Sequence, residues 1–312
     1  MRGRQSFETW ALSLLGLTVL VILWGAFVRV TGSGAGCADH WPLCNGEWVP
    51  RSPRVETLIE LTHRVTSGLS GLLSVLVFWR SRKEFEPGSP VRRAAALGLF
   101  LMLLEGAIGA ALVKLGLVAK DSSPLRALVV GIHLGNTFLL LAAQMLTWLF
   151  SRGTPPPRWR THTGWAVALG LALLAMLGLG ASGAVTALGD TLFPAQSLDQ
   201  GLRADLDPGA HFLVRLRVWH PLLAVLTGAG VVYLAQQLRA ALPSPQVARW
   251  ALCLSALYVL QLGVGALNLF LLAPAAIQIT HLLLADLTWL SLVALGASAL
   301  GAAQPRLATA AS

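Results

Sequence analysis

Long apolar runs alternate with short polar ones along nearly the whole chain. A helix needs about 20 apolar residues to cross a bilayer. Eight segments satisfy this, at approximately 10–30, 58–79, 94–118, 125–150, 163–188, 211–235, 247–272 and 275–300. Proline- and glycine-bearing punctuation such as EPGSP, GTPPPR and LPSPQ separates them. Pro274 divides the last two spans and predicts a very tight turn. The opening MRGRQSFETW with its apolar run superficially resembles a signal peptide. The run is too long and lacks a credible small-residue cleavage site, so it is read as a retained first span.

Self-comparison adds a second layer of order. WGAFVRVTG in the first span aligns with LGASGAVTA in the fifth at an offset of 155, which places Gly25, Ala26, Val30 and Thr31 on Gly180, Ala181, Val185 and Thr186. LEGAIGA and LQLGVGA align at 156, with Gly109 on Gly265. His63 falls on His220 at 157 and His133 on His281 at 148, a shorter loop absorbing the shift. Each half has four spans and therefore enters and leaves on one side, as parallel repeats do. The expected fold is an all-α integral membrane protein, with eight transmembrane helices forming two pseudo-twofold-related four-helix bundles. The halves are residues 1–150 and 151–312. Gly106, Gly109, Gly263 and Gly265 are expected to permit close helix contact within them.

Composition agrees. Of 312 residues, 55% are hydrophobic and 12% charged, and mean hydropathy is +0.68; a soluble domain carries about 25% charges. A net charge of +9 would suggest nucleic acid on a soluble chain. Here the amino terminus, the 80–93, 151–160 and 239–249 loops and the tail hold 13 of the 23 Lys and Arg. The alternate loops at 31–57, 114–124 and 189–210 hold five: Arg51, Arg54, Lys114, Lys120 and Arg203. The positive-inside rule then places both termini in the cytoplasm and the long first loop outside. Lipid is the expected surrounding partner, and nucleic acid is not.

The even-numbered spans carry the candidate chemistry. Their four matched histidines lie about six to nine residues past each helix start, roughly 9–14 Å below the outer end at 1.5 Å per residue. Two facing imidazoles at one depth in each half suit bis-histidine ligation of a haem iron. A hydrogen bond to a neighbouring helix is the plainer role for any one of them. Zinc fits less well, because neither half adds matching thiolates or paired carboxylates. His40, His162 and His211 fall in loops or at a helix entrance and read as solvated.

The halves differ three residues before the histidine, where the first has Glu60 and the second Arg217. Residues three apart share a helix face, so Glu60 should project towards the cavity of His63 and could exchange protons there. One half then holds a haem for electron transfer while the other does chemistry on something similar. Arg64 and Arg217 are candidates to pair with haem propionates, or else snorkel to the interface. Glu105, opposite Gln261 in the repeat, and Asp286, five residues after His281, belong either to a proton path or to interhelical hydrogen bonds.

The first outer loop reads GSGAGCADHWPLCNG. On the oxidising side of a membrane, Cys37 and Cys44 are expected to form a disulfide. It would pin the loop as a cap, or cycle in a redox role. Cys253 reads as an inert packing residue in the seventh span.

CADHWPLCNG, ELTHR, IHLGNT, VWHPLLA and ITHLLLAD together resemble the haem A synthase (CtaA/Cox15) family, over nearly the whole chain. The resemblance implies an oxidoreductase acting on a CH group, which oxidises the C8 methyl of haem O to a formyl group by successive hydroxylations. The product haem A serves terminal oxidases of the aa3 type. By motif position, His63 and His133 would face the substrate haem, and His220 and His281 would ligate the iron of a haem b cofactor that receives electrons. Glu60 would be the catalytic acid/base and Cys37–Cys44 the family's outer-loop pair. Haem O is the implied substrate, with haem O synthase and cytochrome oxidase assembly factors as partners, in a bacterial inner membrane. A glutamine-like residue is the commoner expectation at Glu105, so this chain departs there. The competing readings are a dihaem b-type membrane cytochrome without substrate chemistry, and a transporter built on repeats.

Overall fold

The computed structural model describes residues 2–160 and 163–302, and it contains helices and no strand among them. In chain order these are α1 (Arg2–Val30), α2 (Val55–Glu84), α3 (Pro90–Lys114), α4 (Pro124–Ser151), α5 (Thr163–Leu192), α6 (Leu198–Leu206), α7 (Phe212–Arg215), α8 (Trp219–Ala241), α9 (Pro245–Phe270) and α10 (Ala275–Gly301). Eight helical stretches are long and apolar enough to cross a membrane, α7 and α8 together making the sixth. The chain is a multi-pass membrane protein. His162 and the basic tail lie outside the described residues.

Local chemistry explains the boundaries. At α3 and α4 a Ser-Pro pair starts the helix: Ser89 and Ser123 accept the N–H groups of Arg92 and Arg126, with proline next in line. Proline there loses a donor that the first turn leaves unpaired anyway. Pro274 caps α10 after a turn in which Leu272 and Ala273 take positive φ, at 60° and 58°. The sixth span, expected at approximately 211–235, is present over Phe212–Ala241 but its helix is interrupted. It breaks between Arg215 and Trp219. Pro221 has no N–H to offer the carbonyl of Arg217 four residues back, and its ring crowds that carbonyl. α6 was not apparent in the sequence. It is a short polar helix in the 189–210 connection, capped by Ser197 on the N–H of Gln200.

Helix contacts close two rings: α1, α2, α3 and α4 in the first half, and α5, α8, α9 and α10 in the second. This neighbour pattern fits the two-bundle expectation. The rings meet through α4 against α5 and α10, and through α1 against α10. α10 is accordingly enclosed, with every residue from Thr288 to Gly301 buried. Its small residues, from Ala294 to Gly301, allow that approach. Phe138 of α4 stacks on Trp289 of α10 at 5.1 Å between ring centres, and Trp289 Nε1 donates to the Phe138 carbonyl at 2.6 Å. Arg29 of α1 ties the ends of α5 and α10 to its own helix. It donates to the Ala187 carbonyl at 2.6 Å, Thr191 Oγ1 at 2.5 Å and Gln278 Oε1 at 2.9 Å.

Two packing expectations are corrected. A Cβ on Gly106, Gly109 or Gly263 would meet nothing within 4 Å among the described residues. Those glycines leave space open rather than bringing helices together, and only Gly265 is closely approached, by the ring of His281. Cys253 is exposed, not packed. The inward stripe of α9 is Val247, Ala251, Leu254 and Tyr258, and residue 253 falls off that stripe.

Candidate functional site

The acid of the ELTHR stretch fastens the loop between α1 and α2 to the start of α2. The loop touches the helix at Gly36, whose carbonyl accepts from Thr57 Oγ1 at 2.8 Å. A side chain at Gly36 would run into the backbone of Glu56 and Thr57, so only glycine allows this approach. It brings the Cys37 N–H to 2.9 Å from Glu60 Oε2. Arg64, one turn further, pairs with Glu60 Oε1 through Nε at 3.1 Å and also through its NH2 group. Its NH1 donates to the carbonyls of His40 and Leu43, both at 2.6 Å. Cys37 and Cys44 form a buried disulfide with Cα atoms 4.4 Å apart. Glu60 is 4% exposed. Its carboxylate and the Arg64 guanidinium are thus engaged by the loop directly above His63.

Arg217 plays the matching part in the second half with the charge reversed. It binds Asp205 Oδ1 through Nε at 3.0 Å and NH2 at 2.9 Å, and Asp190 Oδ1 through NH1 at 3.1 Å. NH1 also reaches the Phe193 carbonyl at 3.2 Å. The helix break before Pro221 frees this side chain to hold α5, α6 and the start of α8 together. Burial pushes the Asp205 carboxyl above its ordinary range, against the pull of Arg217. Both arginines taken as propionate candidates are occupied by the chain's own acids and carbonyls. Asp190 and Asp205 were not singled out in the sequence; nothing in the spacing of these acids signals such a pairing.

The histidines lie between the helices. His220 and His281 face each other with ring centres 6.3 Å apart and planes at 85°. An imidazole nitrogen bonds a metal at about 2 Å, and its ring centre lies about 1 Å further on. Two axial imidazoles on one iron therefore put their centres about 6 Å apart, and the observed pair fits that spacing. Ser182 donates to the Leu179 carbonyl at 2.8 Å, which leaves its oxygen to accept Nδ1–H of His220 at 3.0 Å. That tautomer turns the Nε2 lone pair of His220 towards a metal. Gln261 Nε2 lies 3.3 Å from Nε2 of His281, a contact that would have to give way to an iron there.

Glycine stands behind three of the four rings. A Cβ at Gly25 would lie 3.0 Å from His63 Cε1, one at Gly183 2.9 Å from His220 Cε1, and one at Gly265 2.9 Å from His281 Cε1. The partner of Gly25 in the repeat is therefore Gly183, at an offset of 158, rather than Gly180 at 155. The two alignments differ by about one helical turn, so the small-residue face reads the same in either. His133 is treated differently: its Nδ1 lies 3.3 Å from Glu105 Oε1.

His40 is exposed near Asp39, and His211 caps α7 while stacking on Phe193 at 4.6 Å. Asp286 is fully buried in α10, and neither carboxylate oxygen finds a hydrogen-bond partner among the described residues.

Residues 8–293 match the COX15-CtaA family model, described as cytochrome oxidase assembly protein. The chain is 51% identical over 294 residues to a protein of Thermus thermophilus named protoheme IX farnesyltransferase, an alignment covering 93% of this chain and 48% of that relative. It is 37% identical over 143 residues to the heme A synthase of Bacillus mycoides, covering 46% of this chain and 43% of the relative. The heme A synthase of a Bacillus cereus strain matches at 36% over the same length, with the same shares covered. The chain spans about half the length of the curated relatives it matches.

Proposed function

The chain belongs to the COX15-CtaA family of cytochrome oxidase assembly proteins, and from that membership we propose that it is a haem A synthase of a bacterial inner membrane. In this reading it oxidises the C8 methyl of haem O to a formyl group, by successive hydroxylations, for aa3-type oxidases. Both termini lie in the cytoplasm and the disulfide loop outside. The observation that carries the reading is the pairing of histidines, with His220 and His281 at an axial-ligand spacing of 6.3 Å.

The division of labour follows from what surrounds each pair. His220 and His281 would hold haem b in the second half, which supplies a one-electron acceptor when bound. The residues there are otherwise suited to holding and little else: Ser182 orients one ring, and Gly183 and Gly265 leave room for both. His63 and His133 would hold the substrate haem. Glu60, one turn before His63, is the proposed proton acceptor for the methyl C–H. Since Glu60 also accepts the Cys37 N–H, proton transfer at this carboxylate and the seating of the loop are linked. The loop excludes water from the outer side of the site, and Arg64 keeps the carboxylate turned towards it. Arg64 and Arg217 serve haem propionates in this scheme only by exchanging their present partners, so their first role is to hold the outer segments.

The name of the longer relative raises farnesyl transfer as a second reading. Transfer from a prenyl diphosphate uses magnesium held by one or two carboxylates together with the diphosphate, and it gives the facing His220 and His281 no role. The test is extraction of haems from cells given a haem O supply and expressing the chain or its Glu60→Ala variant. Haem A should form with the parent and fall sharply with the variant. An unchanged haem A yield would remove Glu60 from the chemistry, and new haem O made from haem b would favour the second reading.

A further inference from the structure

Behind His133 the glycine pattern fails. Gly109, the counterpart of Gly265, faces open space, and the ring instead meets Glu105, one turn earlier on α3. Glu105 is itself held in place. Asn136 Nδ2 donates to Glu105 Oε2 at 2.5 Å and to the Leu101 carbonyl at 3.0 Å, and Thr137 Oγ1 donates to Glu105 Oε1. Asn136 and Thr137 follow His133 by three and four residues, so they share its face of α4. The second half replaces the whole set, with Gln261 for Glu105, Leu284 for Asn136 and Ala285 for Thr137. A carboxylate with two polar helpers stands in one half, and a neutral amide beside two aliphatic side chains in the other.

An imidazole that ligates iron through Nε2 donates Nδ1–H to a second group, which fixes its tautomer and raises its basicity. A carboxylate does this more strongly than an amide, because the hydrogen bond is charge-assisted. Nearby negative charge and a more basic ligand both favour the ferric over the ferrous state, and so lower the potential. The Glu105 contact is poorly aligned as it stands. Such contacts commonly tighten once a substrate is seated, and a small rotation of the ring brings Nδ1–H onto the carboxylate. A plain interhelical tie would be served equally well by glutamine, which is what the second half uses.

Resting on the haem A synthase reading, we propose that Glu105 is the positioning residue of the substrate site: it accepts Nδ1–H of His133, presents Nε2 to the substrate iron, and gives that site the lower midpoint potential of the two. The ranking favours residence of the electron on the second-half haem.

The test is a potentiometric titration of the purified, haem-loaded full chain, followed by reduced-minus-oxidised spectra. His281→Ala, which removes a ligand only from the second half, assigns the two components. The first-half component should have the lower potential. Glu105→Gln should raise it, leave the second unmoved, and weaken retention of the first haem about 10-fold or more. An unmoved first potential in a folded Glu105→Gln protein, or a first site already higher in the parent, overturns the proposal. If Glu105→Gln does not fold, Glu105→Ala decides: it should raise the first potential as well, and an unmoved first potential in it overturns the proposal. A parent chain that holds no histidine-ligated haem in either half overturns the haem A synthase reading itself, and the proposal with it.

Discussion

Gly265→Ala should release haem from the second half without unfolding it. The added Cβ would lie 2.9 Å from His281 Cε1, whereas carbon atoms rest at about 3.5–4.0 Å. The ring must therefore retreat by about 0.6 Å or more. Metal–ligand bonds tolerate about 0.2 Å, so the imidazole leaves its axial position rather than adjusting within it. Overpacking of this kind costs about 1–3 kcal/mol, and at 1.4 kcal/mol per tenfold that is about a 5- to 140-fold loss of haem affinity. The helix itself gains, since alanine removes a glycine penalty of about 1 kcal/mol. The two signs separate a ligand effect from a folding effect. Haem retained per chain after detergent purification should fall, while the melting temperature of the haem-free protein holds or rises. Gly263→Ala, whose Cβ meets nothing within 4 Å, is the matched control and should keep its haem. Parent-like haem content in Gly265→Ala, or equal loss in Gly263→Ala, would refute the reasoning.

Other outcomes follow from the contacts that join segments. Arg29→Ala leaves the Ala187 carbonyl, Thr191 and Gln278 without their shared donor. At about 1–3 kcal/mol for a buried group left unpaired, it should lower the melting temperature in detergent and loosen the junction of the halves. A parent-like melt would show that the tie carries nothing. Replacing both Cys37 and Cys44 by serine should cost about 2–4 kcal/mol of loop constraint. Protease cleavage within the loop between α1 and α2 should then quicken while helix content by circular dichroism stays constant. Gly36→Ala should quicken the same cleavage with the disulfide intact, because it separates the loop from α2.

Much of the fold was legible because lipid imposes a simple rule. Each span must bury its backbone polar groups in its own helix, so hydropathy alone marks all eight. The histidines were legible for a related reason: an imidazole is expensive among aliphatic residues and stands out. The register of the first and fifth spans was not, because Gly, Ala, Val and Thr repeat along both, and a one-turn slip preserves the pattern. Only the contacts of Gly25 and Gly183 with histidine rings decide it. The break before Pro221 was foreshadowed by the proline, but the hydropathy of the span concealed it. Glycines that keep space open and glycines that admit a neighbouring helix look identical in a sequence, which is why Gly106, Gly109 and Gly263 were misread. Side-chain partners were least legible. Glu60 and Arg64 were marked as costly groups, yet nothing in ELTHR says that their partners are the Cys37 amide and two loop carbonyls.

The central claim is that paired histidines in a repeated membrane bundle carry out chemistry on a haem rather than merely carrying electrons. It is tested most directly by extracting the haems from membranes that contain this chain and a haem O supply, and separating them by chromatography. The account predicts a haem A peak that disappears in His63→Ala, with haem b still held through His220 and His281. Two tightly bound b-type haems, with no haem A at any haem O level, would contradict it.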